Sequence, residues 1–537
     1  MREKFARWDT LFLQYLKRDW RKIVIWIIGL GLFSGAFVPA FKELAKGNGL
    51  RGMYETMQNP AMISMVGPTP IKNAANYTIG AMYSNEMLLF CGLFAMIMSA
   101  LHVVSHTRKE EDLGLTELVR SFKVGRQANS VAVVLETIII NVVLGLFTSG
   151  VMLSFGLKSL STEGIFLFGT AIAMAGLVGA AIGILMAQIM PNASGATGSS
   201  IGIIGLLYII RAGTDVSNLD YSVWNPMSWI YLTYPFTKND WLPIVYGISF
   251  LIVIGLVSFV LEGNRDMGSG YVHEFQGKAH ANFTMLSIPG FLLRLSRGII
   301  ISWLVGFAVM GAAYGSIYGD MQEFLNSSPL VKQMFTMSGH SIEESFTSTI
   351  MMVMIVLATI LPIVLINKLF TEESHGRMSQ TFSTKVTRGK LYWSTISLAI
   401  IMGAIGIFIS AGTLGETAIS SMSSKSVMEI SDFLKAGFNF FPSMLFFIGL
   451  AGLALGWAPK LSKLAYIYLI YSFMLNYFSG ILDLPDWFNK TSIQTWIPRM
   501  PIDKFDGSTF ATITVISLVM IVAGYIGYRR RDLIEGA

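Results

Sequence analysis

Residues 110–126 read EEDLGLTELVRSFKVGR, and residues 372–388 read EESHGRMSQTFSTKVTR. When the two stretches are aligned without gaps at an offset of 262, seven of seventeen positions are identical. Each stretch is charged and lies between two long apolar runs, so it fits the surface of a membrane and not its hydrocarbon core. The repeat therefore predicts that one membrane unit has been duplicated. The identical pairs are Glu110 and Glu372, Glu111 and Glu373, Gly114 and Gly376, Ser121 and Ser383, Lys123 and Lys385, Val124 and Val386, and Arg126 and Arg388.

The composition is that of a polytopic membrane protein. Of the 537 residues, 53% are hydrophobic and only 13% are charged. Many apolar runs approach the roughly 20 residues that span a bilayer core. Since no soluble domain of about a hundred residues fits between these runs, we expect any ATP-binding domain to lie on a separate chain. The lone Cys91 lies inside an apolar run, which excludes an intrachain disulfide.

We predict an all-α polytopic membrane protein with twelve transmembrane helices, arranged as two six-helix halves related by pseudo-twofold symmetry. The first half comprises residues 1–265 and the second residues 297–537, with a cytoplasmic linker and an interfacial helix at 266–296. A basic amphipathic stretch precedes the first span at residues 1–22, and a weaker one precedes the seventh at residues 283–297. The predicted spans are 22–42, 79–104, 127–157, 164–190, 193–212, 241–262, 297–318, 347–370, 391–412, 439–457, 462–482 and 510–528.

The distribution of basic residues sets the predicted orientation. With the N-terminus inside, 26 of the 39 Lys and Arg residues fall on inner segments, as expected because cytoplasmic loops carry an excess of positive charge. Both termini are then cytoplasmic. So are the two charged segments, which we define as residues 106–126 (the first) and 371–390 (the second). We expect a multi-pass protein of the cell (plasma) membrane.

Two further similarities between the halves support the duplication. Trp229 and Trp496 each begin a Trp-Ile pair that is followed by a proline before the last span of its half. The halves end with an Arg-Asp pair that begins at Arg265 or Arg531, where basic groups can anchor a final span at the inner interface. The tryptophan-rich outer segments fit short interfacial or re-entrant helices, and they fit an ordinary aromatic belt equally well.

These features resemble those of a known family. A six-span half with an N-terminal interfacial helix, an E-E-x-x-G and K-V-x-R pattern after span two, and an aromatic segment before span six is similar to the permease of ABC-2-type exporters. Two such halves in one chain resemble in particular the permeases of Gram-positive polyketide and polyether antibiotic exporters of the tetronasin type. The resemblance covers nearly the whole chain. One departure is that Glu117 of the first charged segment has no acidic counterpart in the second.

The resemblance implies a function and a partner. Such permeases export hydrophobic or amphipathic compounds, such as polyketide or polyether ionophore antibiotics, and thereby confer resistance. In that family the charged segment is a coupling segment that a separate ATP-binding subunit holds in a surface groove. We therefore expect two copies of that subunit, carrying ATP and Mg, the lipid bilayer and a hydrophobic small molecule as partners, and no nucleic acid. The expected coupling residues are Glu110, Glu111, Gly114, Glu117, Arg120, Lys123, Arg126, Glu372, Glu373, Gly376, Arg377, Lys385 and Arg388.

The sequence contains no phosphate-binding loop, so we predict that the chain is not an enzyme and carries no cofactor of its own. Such a loop needs glycines and a Lys-Ser or Lys-Thr pair, but the Gly-Lys pairs at Gly277 and Gly389 are followed by alanine and leucine. Among the six histidines, only His102 and His106 have a helical metal-ligand spacing. Because this pair lies at the inner interface, we interpret it as a polar collar and predict no metal site.

Substrate-facing residues are predicted from the resemblance and from charge. Spans two and five of each half face the central cavity in the resembled family, although the aromatic face of span eleven fits helix packing as well. Intramembrane carboxylates are costly and are functional candidates. Glu136 is expected near the bilayer middle, either protonated and hydrogen-bonded or facing the cavity. The candidate cavity residues are Glu86, Phe90, Phe94, Glu136, Tyr466, Phe473, Asn476 and Tyr477.

Two other classes of function compete with this prediction. A proton-coupled secondary multidrug transporter would use Glu86 or Glu136 as its proton site, but the loop after span two does not match the G-x-x-x-D-R/K-x-G-R-R pattern of twelve-span facilitators. A membrane enzyme would need clustered catalytic polar residues at an interface, and the sequence suggests none. We therefore predict the permease of an ATP-driven exporter, with the secondary transporter as the alternative.

Overall fold

A computed structural model describes residues 2–47, 49–58, 60–273, 280–320, 341–422, 428–478 and 485–533. These residues belong to two compact units, residues 1–276 and 277–537. The boundary between the units falls within the stretch that is predicted as a linker, 266–296. Within the described ranges every regular element is helical, which confirms the all-α prediction for this part of the chain.

Unit 1 contains six long helices: α1 (Trp8–Gly35), α2 (Ile79–His106), α3 (Ala128–Leu153), α4 (Thr162–Ile189), α5 (Ala193–Ser217) and α6 (Leu242–Asn264). Thr78, Ser161 and Asn192 precede α2, α4 and α5, and each side chain accepts a hydrogen bond from a backbone N–H of the first turn. These caps satisfy N–H groups that have no partner within the helix, and they fix where the three helices begin.

The described part of unit 2 contains seven helices of ten or more residues: α7 (Ile288–Ser316), α8 (Ile342–Ser374), α9 (Arg388–Ser421), α10 (Ile430–Asn439), α11 (Phe441–Trp457), α12 (Leu464–Phe478) and α13 (Gly507–Arg530). Ser287, Ser341, Thr387 and Asp506 cap α7, α8, α9 and α13 in the same way. Pro442 lies in the first turn of α11, where its missing N–H removes no helical hydrogen bond.

Eleven stretches of the described residues are long and apolar enough to cross a membrane. They correspond to the predicted spans except the eleventh, 462–482, where α12 provides 15 residues and residues 479–484 lie outside the described ranges. The structure thus confirms a helical membrane protein of many spans. The number twelve and the symmetry between the halves remain predictions.

The predicted interfacial stretches belong to longer helices in the structure. Helix α1 runs without interruption from Trp8 to Gly35, and α7 begins at Ile288, inside the second amphipathic stretch. Between residues 8 and 28 the sequence has no proline or glycine, so the backbone hydrogen bonds continue across the predicted boundary. Lys17, Arg18, Arg21 and Lys22 therefore lie on the same continuous helix as the first predicted span, and the earlier basic residues precede it.

Helix α4 forms the centre of unit 1. It packs against α2, α3 and α6, and most of its side chains are buried. At Gly179, an added Cβ atom would lie 2.1 Å from the Met96 carbonyl oxygen on α2. The glycine lets the two backbones approach closely, as small residues do between helices in lipid. This packing positions α2, whose last turn leads into the first charged segment.

Two close helix pairs organise unit 2. Helix α7 packs along α9, and α11 packs along α13. At Gly456 near the end of α11, an added Cβ atom would lie 2.2 Å from the Gly524 carbonyl oxygen on α13. The close approach fixes the end of α13 against α11, and Arg531 follows α13 directly.

Candidate functional site

The first charged segment follows α2 and contains two short helices, Arg108–Asp112 and Leu115–Arg120. Gly114 precedes the second of these with a φ of 73°, a left-handed conformation that other residues rarely adopt. Gly376 in the second charged segment has a φ of 72°. The same backbone turn in both segments explains why both contain glycine at this matched position.

An ion pair joins the first charged segment to the end of α6. The Glu111 carboxylate accepts two hydrogen bonds from the Arg265 guanidinium, at 2.8 Å (Oε1 to Nη1) and 2.6 Å (Oε2 to Nη2). It also accepts the Gly268 N–H at 2.6 Å and a bond from Arg108 at 3.1 Å. Arg126, near the other end of the segment, donates to the carbonyl oxygen of Arg265. Both ends of the segment are thus attached to the end of α6.

The same arrangement occurs in unit 2. The Arg531 guanidinium binds the Glu373 carboxylate through two hydrogen bonds, one of them 2.7 Å long (Nη2 to Oε2). Arg388 donates to the carbonyl oxygen of Arg531, which repeats the bond between Arg126 and Arg265. We call each set a clasp. The first clasp comprises Glu111, Arg126 and Arg265, and the second comprises Glu373, Arg388 and Arg531.

In the clasps, two of the predicted coupling residues make contacts inside their own units. The side chains of Glu111 and Glu373 are only 7% and 0% exposed, and both carboxylates bind an arginine of the last helix end. A two-bond carboxylate–guanidinium pair that is shielded from water is stronger than an exposed one. In the described structure these carboxylates therefore stabilise the segments, while their contact with a partner subunit remains a prediction.

Glu110 attaches the first charged segment to α1. Its carboxylate accepts hydrogen bonds from Arg18 at 2.7 Å and from the Tyr15 hydroxyl at 3.0 Å. In unit 2 the matched Glu372 binds Arg377 of its own segment at 2.9 Å. The two segments thus share the clasp but differ in their further contacts.

The solvent-exposed surfaces of the two segments differ in polarity. In the first, Leu115, Leu118 and Phe122 are 42%, 63% and 69% exposed. In the second, Met378 is buried and the exposed side chains are polar. Arg120 is half-buried and donates to a carbonyl oxygen within its segment. The other predicted coupling residues with exposed side chains are Glu117, Lys123, Arg126, Arg377 and Lys385.

Glu136 on α3 is fully buried, and its partner is a histidine. His102 Nε2 on α2 lies 3.2 Å from Glu136 Oε2, and the two side chains are 1% and 0% exposed. A contact with a neighbouring helix is one of the two predicted alternatives for Glu136, and the structure adds His102, which the sequence analysis places in a polar collar, as the partner. The carboxylate packs between helices of unit 1 instead of forming an exposed cavity wall.

The predicted cavity residues of α2 have varied surroundings. Glu86 and Phe90 are half-buried, and Phe94 is 46% exposed. A small cleft beside α2 involves other side chains, among them the hydrogen-bonded pair Asn141 and Ser99, which are 2.9 Å apart. Its polar and aromatic lining residues are Trp26, Ser99, His102, Thr137 and Asn141. No sequence pattern indicated this cleft, because its residues come from three different helices.

On α12, the predicted cavity residues include one with a clear structural contact. Asn476 is buried, and its Oδ1 atom accepts a hydrogen bond from Arg499 at 2.9 Å. This bond ties α12 to the segment that precedes α13. Tyr466 and Phe473 are half-buried, and the side chain of Tyr477 lies outside the described part of the chain.

A buried ion pair on α5 was not predicted. Arg211 donates to Asp215 at 2.9 Å, and both side chains are 0% exposed. Arg211 also donates to the Met65 carbonyl oxygen at 2.7 Å, and the Tyr231 hydroxyl donates to Asp215. Arg and Asp four residues apart face each other on a helix, so the spacing was a usable signal, but the predicted span five ends between the two residues.

The outer aromatic segment of unit 1 is partly packed into the helix bundle. Trp229 and Tyr231 are buried, and the short helix Trp229–Leu232 packs against α2 and α6. Trp224 is 85% exposed. The buried residues favour the predicted short interfacial or re-entrant helices over an ordinary aromatic belt, which would place their rings at the lipid surface.

Comparison with known proteins supports a transport role. Residues 286–529 match the family model described as "Multidrug efflux system permease Rv1217c, C-terminal domain". Over 536 residues the chain is 23% identical to the multidrug efflux system permease protein Rv1217c of Mycobacterium tuberculosis (strain ATCC 25618 / H37Rv). The alignment covers 97% of this chain and 94% of the relative. The chain is thus similar to an efflux permease over nearly its whole length.

The similarity to this permease agrees with the helical architecture. Both point to a multi-pass membrane permease of an efflux system, and to a transport subunit rather than an enzyme. The matched family region lies inside unit 2, while the similarity to the mycobacterial permease extends through unit 1 as well.

Proposed function

We propose that this chain is the permease of an ATP-driven ABC exporter, and that two copies of a separate ATP-binding subunit bind its two charged segments. The exported compounds are hydrophobic or amphipathic small molecules. The similarity to a multidrug efflux permease supports broad substrate range and resistance as the biological outcome. The sequence resemblance favours polyketide and polyether ionophore antibiotics as one substrate class.

The clasps are the observation that carries this proposal. A surface segment that is joined only to its two flanking helices would move without affecting the rest of its unit. Glu111 and Arg265 instead join the first charged segment to the end of α6 through two charge-assisted hydrogen bonds, and Glu373 and Arg531 do the same at the end of α13. A force applied to either segment is therefore transmitted to the last helix of that unit, as coupling to an ATP-driven movement requires.

The exposed surface of the first charged segment fits a protein partner. Leu115 and Leu118 are exposed apolar residues on a short helix, and Phe122 is another just after its end. Interface cores in complexes are apolar and depleted in charge. The second charged segment presents mainly polar side chains. Two identical ATP-binding subunits would therefore dock on unlike surfaces, and we propose that the contact with the first segment is the tighter one.

The local geometry of unit 1 supports the proposed topology with a cytoplasmic N-terminus at the plasma membrane. The Gln127 N–H donates to the Lys4 carbonyl oxygen at 2.9 Å, and the Gly125 N–H donates to that of Ala6 at 3.0 Å. The start of the chain, the first charged segment and the end of α6 therefore lie at one end of unit 1. This is the arrangement that a six-span unit with both ends on one side requires.

The subunit composition of the purified complex tests this proposal. The full-length chain is produced with an ABC ATP-binding subunit encoded beside it and analysed by native mass spectrometry, where we expect two subunits per chain. Leu118→Asp should release one subunit, whereas Val216→Asp, at another exposed apolar position on the predicted outer side, should leave the complex intact. A chain that binds no such subunit, or a complex insensitive to Leu118→Asp, would contradict the proposal.

The alternative function is a proton-coupled secondary multidrug transporter. The buried pair of Glu136 and His102 favours it, because a carboxylate and an imidazole can exchange a proton within a membrane. In this case the purified chain alone would transport substrate in response to an imposed pH gradient, and Glu136→Gln would abolish that transport. The ATP-driven exporter requires neither result.

A further inference from the structure

Two histidines and a carboxylate meet between α2 and α3 in unit 1. His102, His106 and Glu136 are all buried, and one potential ligand atom from each lies within 4.8 Å of the other two. Three polar atoms of this cluster, His102 Nδ1, His106 Nε2 and Glu136 Oε1, have no hydrogen-bond partner among the described residues. Buried polar atoms without partners are costly. A ligand bound at His106 Nε2 would give one of these three atoms a partner.

We propose that this cluster binds one divalent transition-metal ion, with Zn²⁺ as the ion that fits best. Imidazole nitrogen and carboxylate oxygen are usual zinc ligands, and tetrahedral bonds of about 2.0–2.2 Å place the ligand atoms about 3.3–3.6 Å apart. The observed separation of His102 Nε2 and Glu136 Oε2 is 3.2 Å. One potential ligand atom of His106 lies within 4.8 Å of one atom on each of the other two residues, so a tetrahedral site requires the His106 ring to move inward by about 1 Å.

A fourth ligand is available from α1. Asp19 Oδ2 lies 3.3 Å from His106 Nε2, a separation that again matches the edge of a zinc tetrahedron. Asp19 is 16% exposed at its side chain, so it can adjust its position. The complete ligand set would then contain two histidines and two carboxylates from α1, α2 and α3.

Glu110 is placed to orient His106 toward the ion. Metal-binding histidines usually donate their other ring N–H to a carboxylate or carbonyl oxygen, and His106 Nδ1 lies 3.2 Å from Glu110 Oε1. In this tautomer the lone pair of Nε2 is free for the metal. Arg18 Nη2 lies 2.5 Å from the same Nδ1 atom and 2.7 Å from Glu110 Oε1. Because a guanidinium can only donate, metal binding would require Arg18 to move away from Nδ1 and bind Glu110 alone.

The charges around the cluster match a divalent cation. Lys22 lies over the Trp26 ring, with its ammonium 4.4 Å from the ring centroid. It adds one positive charge near the cluster, where it interacts electrostatically with His102, Glu136 and Asp19. The charged groups that contact the two histidines carry a net charge of two negative units while the histidines are neutral. These groups are the carboxylates of Asp19, Glu110 and Glu136 and the guanidinium of Arg18.

Unit 2 provides an internal comparison. At the repeat offset of 262, the positions of His102, His106 and Glu136 are occupied by Val364, Lys368 and Leu398. None of these is a usual zinc ligand. Lys368 has an amino group where His106 has its imidazole. Among the described residues this leaves one such site, and it would link three helices at the base of the first charged segment. The proposal does not depend on how transport is driven, because it concerns only the ligands and their geometry.

The test is metal binding by the full-length chain, purified in detergent through a tag without histidines. The protein is stripped with EDTA, incubated with Zn²⁺, desalted and analysed by elemental mass spectrometry. We expect one Zn²⁺ per wild-type chain, and at least a tenfold loss of affinity in His106→Gln and in Glu136→Gln. His375→Gln, which alters an exposed histidine at the second charged segment, should retain one Zn²⁺ per chain.

A second measurement uses the wild-type chain and so remains informative if a variant fails to fold. The melting temperature of the wild-type chain should rise on adding Zn²⁺ and fall on adding EDTA, since a ligand of the folded state stabilises it. Substitution by Co²⁺ should give the visible absorption of a tetrahedral site. If wild-type protein retains no Zn²⁺ and its melting temperature does not respond, or if Glu136→Gln binds Zn²⁺ like wild type, the cluster is only a hydrogen-bonded histidine–carboxylate pair and the proposal fails.

Discussion

Replacing Glu111 by glutamine removes the charge of the first clasp while keeping the size of the side chain. Four hydrogen bonds converge on this carboxylate, two from Arg265, one from Arg108 and one from Gly268. The side chains of Arg108 and Arg265 are 0% and 9% exposed, so the substitution leaves two shielded guanidinium groups without their shared carboxylate. Removing one partner of a buried ion pair costs about 3–5 kcal/mol.

We expect a cost near the lower limit, about 3 kcal/mol, because part of the network survives the substitution. Arg108 keeps its bond to the Ser269 carbonyl oxygen at 2.8 Å and its contact with Asp112 at 3.6 Å. A change of about 3 kcal/mol multiplies the opening equilibrium of the segment by more than about 100. Opening on this scale is local, since the helices that flank the segment keep their own packing.

The measurement is hydrogen exchange of the purified full-length chain, followed by mass spectrometry. In Glu111→Gln, peptides from residues 107–126 should exchange about 100-fold faster, while peptides from 371–390 should not change. Glu373→Gln should produce the reverse pattern. Glu117→Gln, at an exposed position of the first charged segment, is the matched control and should have little effect.

Two results would refute this reasoning. Unchanged exchange of residues 107–126 in Glu111→Gln would show that the clasp does not hold the segment. Faster exchange along the whole chain would show that Glu111 stabilises the global fold instead. A double-mutant cycle with Arg265→Gln adds a direct check, because residues in one ion-pair network should show a coupling energy of at least about 0.5 kcal/mol.

Three further predictions concern topology and local stability. The topology test introduces single cysteines into a chain without its native cysteine and treats intact cells with a membrane-impermeant thiol reagent. A cysteine at Ser217 should react and one at Ser121 should not. Labelling at Ser121 would contradict the predicted orientation. Gly114→Ala should cost roughly 1–2 kcal/mol because the φ of Gly114 is positive, although no atom lies within 4 Å of the added Cβ. The control is Gly213→Ala on α5, where the space around the added Cβ is equally open. This change should slightly stabilise the protein, as measured by the same hydrogen-exchange experiment. Arg211→Gln should cost about 3–5 kcal/mol by leaving its buried carboxylate partner unpaired, and an unchanged melting temperature would show that the pair contributes little.

The repeat was visible in the sequence because the same structural contacts recur. Glu111 and Glu373 match in sequence and occupy the same place in the two clasps, and so do Arg126 and Arg388. The arginines that complete the clasps were recognised only as anchors of the last spans. They lie 154 and 158 residues from their carboxylate partners, and a single sequence contains no information on pairing over that distance.

The interior of unit 1 shows the limit of sequence patterns more strongly. His102 and Glu136 are 34 residues apart on neighbouring helices, but both helices are apolar on all sides, so hydropathy does not indicate which faces meet. The prediction of helix boundaries was limited for a different reason. Charge and hydropathy change near residue 22, whereas the backbone hydrogen bonds of α1 continue from Trp8 to Gly35. The change in composition near residue 22 therefore did not mark the start of this helix.

The source of energy for transport is the most direct test of the proposed function. Inside-out membrane vesicles are prepared from cells that produce the chain with its ATP-binding subunit, and uptake of a fluorescent hydrophobic compound is followed after ionophores have collapsed the proton gradient. We predict uptake that requires ATP hydrolysis and is lost when the subunit carries an inactive phosphate-binding loop. Uptake by the chain alone, driven by an imposed pH gradient and indifferent to ATP, would contradict the account.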